Sequence, residues 1–251
     1  MGSDICFFIQ ARLGSTRLPG KVLLPFYRQQ SILDLMINKL QRISSNIIIV
    51  TSQEFANKAL DDVALKHGVE CFHGSEEDVL RRFIDAAEKY NIEKIIRVCS
   101  DNPFLEIDSI RRLVDYVTRN PFYEYVSFDI QGIPSIKTHY GFWTEYVTLS
   151  ALKKVVTLTD EALYHEHVTN YIYTNPSYFL INWLQGPEKL SSYPDIRLTI
   201  DTKDDFENAQ IIYSNLSCVD EFPSIDEVVD YLDRHPSWYE TMKIQIRKNT
   251  K

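Results

Sequence analysis

At 251 residues, 44% of them hydrophobic, the chain is long enough to bury the core of one large mixed domain. Its 35 Asp and Glu against 27 Lys and Arg leave a formal charge of −8, the wrong sign for holding a nucleic-acid backbone. No apolar run approaches the ~20 residues of a membrane-crossing helix, and none resembles a secretory h-region, so the expected compartment is the cytoplasm and no membrane partner is expected.

The chain opens with an apolar run, Ile5 to Gln10, followed by a polar loop. Three further runs of the same kind, Asn46 to Thr51, Val69 to His73 and Lys94 to Cys99, read as strands. Between them Ser31 to Ile43, Glu54 to His67 and Glu76 to Tyr90 read as helices. In the last of these, Val79, Leu80, Phe83, Ile84 and Ala87 recur at helical spacing behind the acidic start Glu76-Glu77-Asp78. Beyond Pro103 the rhythm loosens. Ile107 to Arg119 is predicted helical, Tyr123 to Asp129 a strand, and 132–148 mixes turn and strand signals. Ser150 to Val156, Glu161 to Tyr173, Lys203 to Ser214 and Ser224 to Arg234 are predicted helices, the last capped by Ser224 with Glu227 three residues on. Arg197 to Ile200 reads as one more strand. Strands interleaved with helices predict βαβ units, hence an α/β fold of three α/β/α layers around a mostly parallel sheet. With no repeat or linker, 1–251 is one domain, its stretch 123–190 an elaboration on the sheet. Cys6, Cys71, Cys99 and Cys218 are widely spaced, form no CxxC pair and read as free thiols.

Ligands of open parallel sheets bind beyond the carboxyl ends of the strands, which directs attention to the segments after Gln10, Cys99 and Ile200. The first, Ala11-Arg12-Leu13-Gly14-Ser15-Thr16-Arg17-Leu18-Pro19-Gly20-Lys21, sets three cations within ten residues of an otherwise acidic chain. Small Gly14 and Ser15 let main-chain N–H groups face a ligand, so the loop suits a polyphosphate. It matches neither GxxxxGK[ST] nor GxGxxG. The other two segments, Ser100-Asp101-Asn102-Pro103 and Thr199-Ile200-Asp201-Thr202, each end an apolar run in an aspartate. Two carboxylates from neighbouring strand ends are a suitable holder for Mg²⁺ in nucleotidyl transfer. Each is also a candidate helix cap.

The string QARLGSTRLPGKVL resembles the signature of the CMP-sugar synthetases, which include the acylneuraminate and Kdo cytidylyltransferases, and looks most like their spore-coat polysaccharide SpsF branch. SDNPFLEID is similar to the family's Asp-x-Pro motif, and LTIDTKDDFE to its terminal Asp-Thr-x-x-Asp motif. Gly74 to Phe83 is similar to the DVLxRF helix of the branch, and Glu166-His167-Val168-Thr169 to its EHVT segment. The resemblance covers most of the chain and implies a nucleotide-diphospho-sugar transferase-like fold. It also implies transfer of CMP from CTP to a sugar, acidic like a nonulosonate or Kdo, with release of pyrophosphate, for surface polysaccharide or glycan synthesis. By resemblance Arg12, Lys21 and Asp101 are catalytic. Ala11, Leu13, Gly14, Ser15, Arg17, Asp78, Arg82 and Ser100 join Arg12 and Lys21 around the nucleotide, and Asp101 and Asp201 hold Mg²⁺. Acceptor recognition falls to the middle region, where Lys137, His139, Glu145, His167 and Arg197 are the candidates.

Two departures stand out. Ser100 occupies a position where the family commonly has Gly, and Gly141-Phe142-Trp143-Thr144-Glu145 puts Trp143 where the branch has Asp. These leave two other readings open: transfer to a sugar phosphate or other phosphorylated alcohol, or a catalytically silent nucleotide-binding subunit. Related enzymes usually dimerise, so a homodimer through the aromatic middle (Phe142, Trp143, Tyr146, Tyr164, Tyr171, Tyr173) is expected.

Overall fold

Strand alternation sets up the layers. In β1 (Ile5–Gln10) Ile5, Phe7 and Ile9 join one apolar cluster while Cys6 and Phe8 join another, so both faces of the strand are covered. The computed structural model describes residues 5–216 and 222–249; Cys218 lies outside them. After β1 come a short antiparallel hairpin, β2 (Pro25–Tyr27) with β3 (Gln30–Ser31), then α1 (Ile32–Gln41), β4 (Ile47–Ser52), α2 (Ala59–His67), β5 (Glu70–Gly74), α3 (Val79–Tyr90), β6 (Lys94–Cys99) and α4 (Ile107–Arg119). The second half adds β7 (Tyr125–Ile130), β8 (Ile133–Pro134), β9 (Glu145–Thr148), α5 (Leu149–Leu158), α6 (Ala162–Glu166), α7 (Asn170–Thr174), β10 (Ile181–Gln185), α8 (Lys203–Leu216), α9 (Ile225–Arg234) and α10 (Pro236–Asn249).

The main sheet runs β10-β7-β9-β6-β1-β4-β5, with β8 hairpinned onto β7. Along this path only β9 is antiparallel to its neighbours, so the carboxyl ends of β1 and β6 lie side by side, Gln10 opposite Cys99. Helices α1, α4, α8 and α9 cover one face and α3 and α5 the other. The α/β/α layering read from the sequence is what forms. The stretch 123–190 supplies β7, β9 and β10 to the sheet itself, so it completes the sheet rather than resting on it.

Three readings need correction. Arg197 to Ile200 is no strand: Leu198 N donates to His139 O at 2.8 Å and Ile200 N to Asp101 O at 2.9 Å, which ties the segment to two loops instead of a ladder. Glu161 to Tyr173 is not one helix. It breaks between α6 and α7 where His167 leaves helical geometry (φ −103°, ψ 80°) and the Thr169 hydroxyl is drawn to Glu145 at 3.0 Å. Phe142, Trp143 and Tyr146, assigned to a dimer face, are 1%, 7% and 0% exposed and lie in the core, where Trp143 stacks on Phe128 and Phe142 on Tyr140. The hairpin β2–β3, strand β10 and helix α10 were not foreseen. The capping box of α9, Ser224 with Glu227, forms as expected.

Candidate active site

Beyond the ends of β1 and β6 the chain encloses two adjoining cavities of about 350 and 400 Å³ that share Arg97, Cys99, Asp101, His167 and Asp201 as a common wall. The smaller is lined by the loop after β1. Gly20, at φ +67°, makes the reversal that brings its N–H back to Leu13 O at 3.0 Å and closes the loop on itself. Ala11, Arg12, Ser15, Arg17 and Lys21 reach this cavity, as do Arg82 and Ser100.

Loop and aspartates meet. Lys21 Nζ donates to Ile200 O, at the foot of Asp201, and stands 3.7 Å from Asp101 Oδ2. Arg17 Nη2 is 2.8 Å from Asp201 Oδ1. Neither aspartate caps a helix: the first turn of α4 follows Glu106, and that of α8 is served by Thr202, whose hydroxyl accepts from Asp205 N at 3.2 Å. The carboxylates are therefore held by cations at the shared wall. Close by, Asn102 Oδ1 and Thr199 Oγ1 are buried with no hydrogen-bond partner among the described residues, and both residues line the larger cavity. The donor set is all oxygen, which suits a hard cation such as Mg²⁺.

Arg82 spans the floor of the smaller cavity. Its Nε donates to Ser75 O at 2.6 Å and its Nη2 to Glu76 O at 3.0 Å. Burial and the nearby Arg12 charge both pull its pKa down from the ordinary value. Asp78, grouped with it in the sequence, does not line either cavity; it caps α3 through Arg81 N at 2.7 Å and pairs with His165 Nδ1 at 2.7 Å. Leu13 and Gly14 also stand off the walls. The Leu13 N–H is already given to Asn57 Oδ1 at 2.8 Å, and a Cβ on Gly14 would lie 3.1 Å from Glu54 Oε2.

The larger cavity takes Lys137, His139, Glu145 and His167 from the list of acceptor candidates, but not Arg197. The Arg197 side chain is 1% exposed and lies behind the wall, its Nε and Nη2 each 2.8 Å from an Asp205 oxygen and Nη2 also 3.2 Å from Asp201 Oδ2. Its Nη1 lies 3.1 Å from His139 Nδ1. A guanidinium only donates, so Nδ1 accepts and the His139 proton sits on Nε2. Burial and the Arg197 charge keep this imidazole below its ordinary pKa, hence neutral. Glu145 is likewise spoken for: it pairs with Arg97 and accepts from Tyr125 and Thr169.

Sequence reasoning missed Arg97, Gln10 and Cys99. Arg97 Nε donates to Gln10 Oε1 at 3.1 Å, and its Nη1 pairs with Glu145. Burial alone would depress the Arg97 pKa, but the charge and hydrogen bond of the Glu145 carboxylate act the other way and it stands above the ordinary value. A cation in the middle of the apolar strand Lys-Ile-Ile-Arg-Val-Cys was the available signal. Burial pushes the Cys99 thiol up to about 12, so it is a neutral wall group and no nucleophile.

Comparison with known proteins gives a consistent picture. A family model described as cytidylyltransferase matches residues 6–222. The chain is 33% identical over 246 residues to the spore coat polysaccharide biosynthesis protein SpsF of Bacillus subtilis, covering 93% of this chain and 96% of that one. A solved cytidylyltransferase from Leptospira borgpetersenii superposes with a TM-score of 0.83 at 30% identity, over 94% of this chain and 96% of that one. The structure of CMP:2-keto-3-deoxy-manno-octonic acid synthetase complexed with CTP shares the fold, with a TM-score of 0.61 at 13% identity over 84% of this chain and 98% of its own. No helix among the described residues is long and apolar enough to cross a membrane.

Proposed function

The chain belongs to the cytidylyltransferase family, and from that premise we propose that it transfers CMP from CTP to a sugar with release of pyrophosphate. The observation that carries this reading is the meeting of Arg17 and Lys21 with Asp201 and Asp101 on the wall between two adjoining cavities. One cavity then takes the triphosphate and the other the acceptor, with the α-phosphate at their junction.

In the reaction an acceptor hydroxyl oxygen attacks the α-phosphorus in line and gives up its proton to solvent; its bond to phosphorus forms as the α–β bridging P–O bond breaks, and the bridging oxygen leaves with pyrophosphate. Arg12, Lys21 and Arg82 bind the triphosphate, and Ala11, Ser15, Arg17 and Ser100 complete the nucleotide side. Their fixed charges lie where negative charge builds on the phosphate oxygens. Asp101 and Asp201 are the residues to hold Mg²⁺, which when bound neutralises phosphate charge and helps activate the attacking oxygen. On the acceptor side, neutral His139 offers Nε2–H as a donor, Lys137 supplies a cation for an acidic sugar, and His167 sits on the shared wall. Arg197 acts at one remove by fixing His139 and Asp201. Surface polysaccharide synthesis is the setting suggested by the similarity to SpsF, and the cytoplasm, where CTP is made and used, is the compartment that goes with this reading.

The test is to incubate the protein with each nucleoside triphosphate, Mg²⁺ and panels of acidic sugars, neutral sugars and sugar phosphates while measuring pyrophosphate. CTP with an acidic sugar is the expected productive pair. Equal rates with UTP or ATP would defeat the cytidylyl assignment, and turnover confined to sugar phosphates would defeat the free-sugar one.

A further inference from the structure

The edge strand β5 carries a second cluster, away from both cavities. Cys71 and His73 are two residues apart and so share one face of the strand, towards Asp61 of α2. Cys71 Sγ lies 3.6 Å from His73 Nε2, which lies 2.7 Å from Asp61 Oδ1. All three ligand atoms fall within 4.8 Å of one another. The spacing is informative. Two ligands at ~2.3 Å (sulfur) and ~2.0 Å (nitrogen) from one tetrahedral ion stand roughly 3.5 Å apart, close to the Cys71–His73 separation.

A second observation concerns the other ring nitrogen. His73 Nδ1 lies 3.3 Å from Ser52 O, and a carbonyl can only accept, so Nδ1 holds the proton. Ligating histidines are oriented in this way, by giving the remote N–H to a backbone carbonyl. Nε2 then presents its lone pair to the Asp61 carboxylate. Two acceptors this close need a cation between them, either a proton or a metal.

We propose that Asp61, Cys71 and His73 form a binding site for a borderline divalent cation of the zinc class, with water completing the tetrahedron. The nitrogen, sulfur and oxygen donors favour such an ion over Mg²⁺ or Ca²⁺. The Asp61 side chain is 51% exposed and that of His73 26%, which leaves room for ion and water to enter. On binding, the Cys71 thiol releases its proton to solvent and a sulfur–metal bond forms. Asp61 withdraws from Nε2 by roughly half an ångström to reach ligand spacing. The ion clips α2 to the outermost strand and plays no part in the transfer chemistry.

Co²⁺ titration of the metal-free full chain tests the assignment, read by the thiolate-to-cobalt charge-transfer band and the intense visible bands of tetrahedral Co²⁺. The wild type is expected to develop both at one equivalent, and Zn²⁺ to bleach them. Cys99→Ser must retain the bands, because that thiol lies in the active-site wall. Cys71→Ser is expected to lose the charge-transfer band, and His73→Ala to weaken Co²⁺ binding by about tenfold or more. Circular dichroism confirms that each variant is folded; should Cys71→Ser misfold, His73→Ala together with Asp61→Asn carries the test. Wild-type spectra without a sulfur band, or bands untouched by these substitutions, overturn the proposal.

Discussion

Arg97 and Glu145 stand directly opposite each other on the antiparallel strands β6 and β9 and form a buried ion pair, their side chains 9% and 5% exposed. Both line the larger cavity, yet each spends its charge on the other. Two ions removed from water are tolerable only together, and Glu145 also accepts hydrogen bonds from the Tyr125 and Thr169 hydroxyls. Replacing Glu145 by Ala therefore leaves a buried cation and two hydroxyls without their acceptor. The expected loss is about 3–5 kcal/mol in chemical denaturation, before any effect on acceptor affinity. The double replacement Arg97→Met with Glu145→Leu is expected to recover most of it. A stable Glu145→Ala protein with only a raised acceptor KM would show instead that Glu145 is a binding group.

The two aspartates make the opposite prediction. The Asp101 side chain is one-third exposed and that of Asp201 27%; among the described residues Asp101 pairs with Lys21, and Asp201 with Arg17 and Arg197. Asp101→Asn and Asp201→Asn are expected to leave stability within about 0.5 kcal/mol of wild type while kcat falls roughly a hundredfold or more. Steady-state pyrophosphate release beside thermal melts separates the two effects. Partial recovery of either variant at raised Mg²⁺ is expected, since a weakened site fills at higher concentration. Undiminished turnover in Asp101→Asn would remove the catalytic role assigned to it.

These cases show what the sequence could convey. Strands β1, β4 and β6 were readable because a strand buried on both faces is a continuous apolar run, as in Ile47 to Val50. The basic loop and both aspartates were readable because a charge that closes an apolar run is rare in a core. Strand β10 was hidden, for Ile181, Asn182 and Trp183 are only half-buried at the sheet edge and mix polar with apolar residues. The Arg197 segment misled for a related reason: Ile196, Leu198 and Ile200 are buried, but by loops, and apolarity alone cannot tell a ladder from a packed loop. The partnership of Arg97 with Glu145 needed β9 to lie against β6, a long-range pairing with no local signature.

A pH effect follows from the contact between α6 and α3. Its hydrogen bond to Asp78 raises the His165 pKa above the ordinary 6.5, despite partial burial acting the other way. A raised folded value means that the folded chain binds the proton more tightly than the unfolded one. The stabilisation is therefore complete below about pH 6.5 and is lost as pH rises through the folded value. Because the pair is partly exposed, screening keeps the effect small, roughly 1–2 °C in Tm. Melting curves of wild type and His165→Asn should differ most at acid pH and converge in alkali. A difference independent of pH would assign His165 a packing role alone.

Gly74 offers the sharpest probe of the smaller cavity, although it does not line it. A Cβ at this position would stand 2.7 Å from Arg82 Cγ and 2.8 Å from a Phe72 ring carbon, closer than such atoms approach. The glycine ends β5 so that the stem of Arg82 can lie across the backbone and carry the guanidinium to the cavity floor. Gly74→Ala must push that stem aside, breaking the bonds from Arg82 to Ser75 O and Glu76 O. If Arg82 holds triphosphate, the expected result is a CTP KM raised about tenfold with the acceptor KM unchanged, and stability reduced by about 1–3 kcal/mol from the overpacking. Arg82→Ala should raise the CTP KM at least as far. Adding Gly74→Ala to Arg82→Ala should then cost little more, because the crowded stem is gone and the two substitutions act on one interaction. Additive losses in that double variant would mean that Gly74 serves the strand end for its own sake, and that Arg82 reaches the nucleotide without its help.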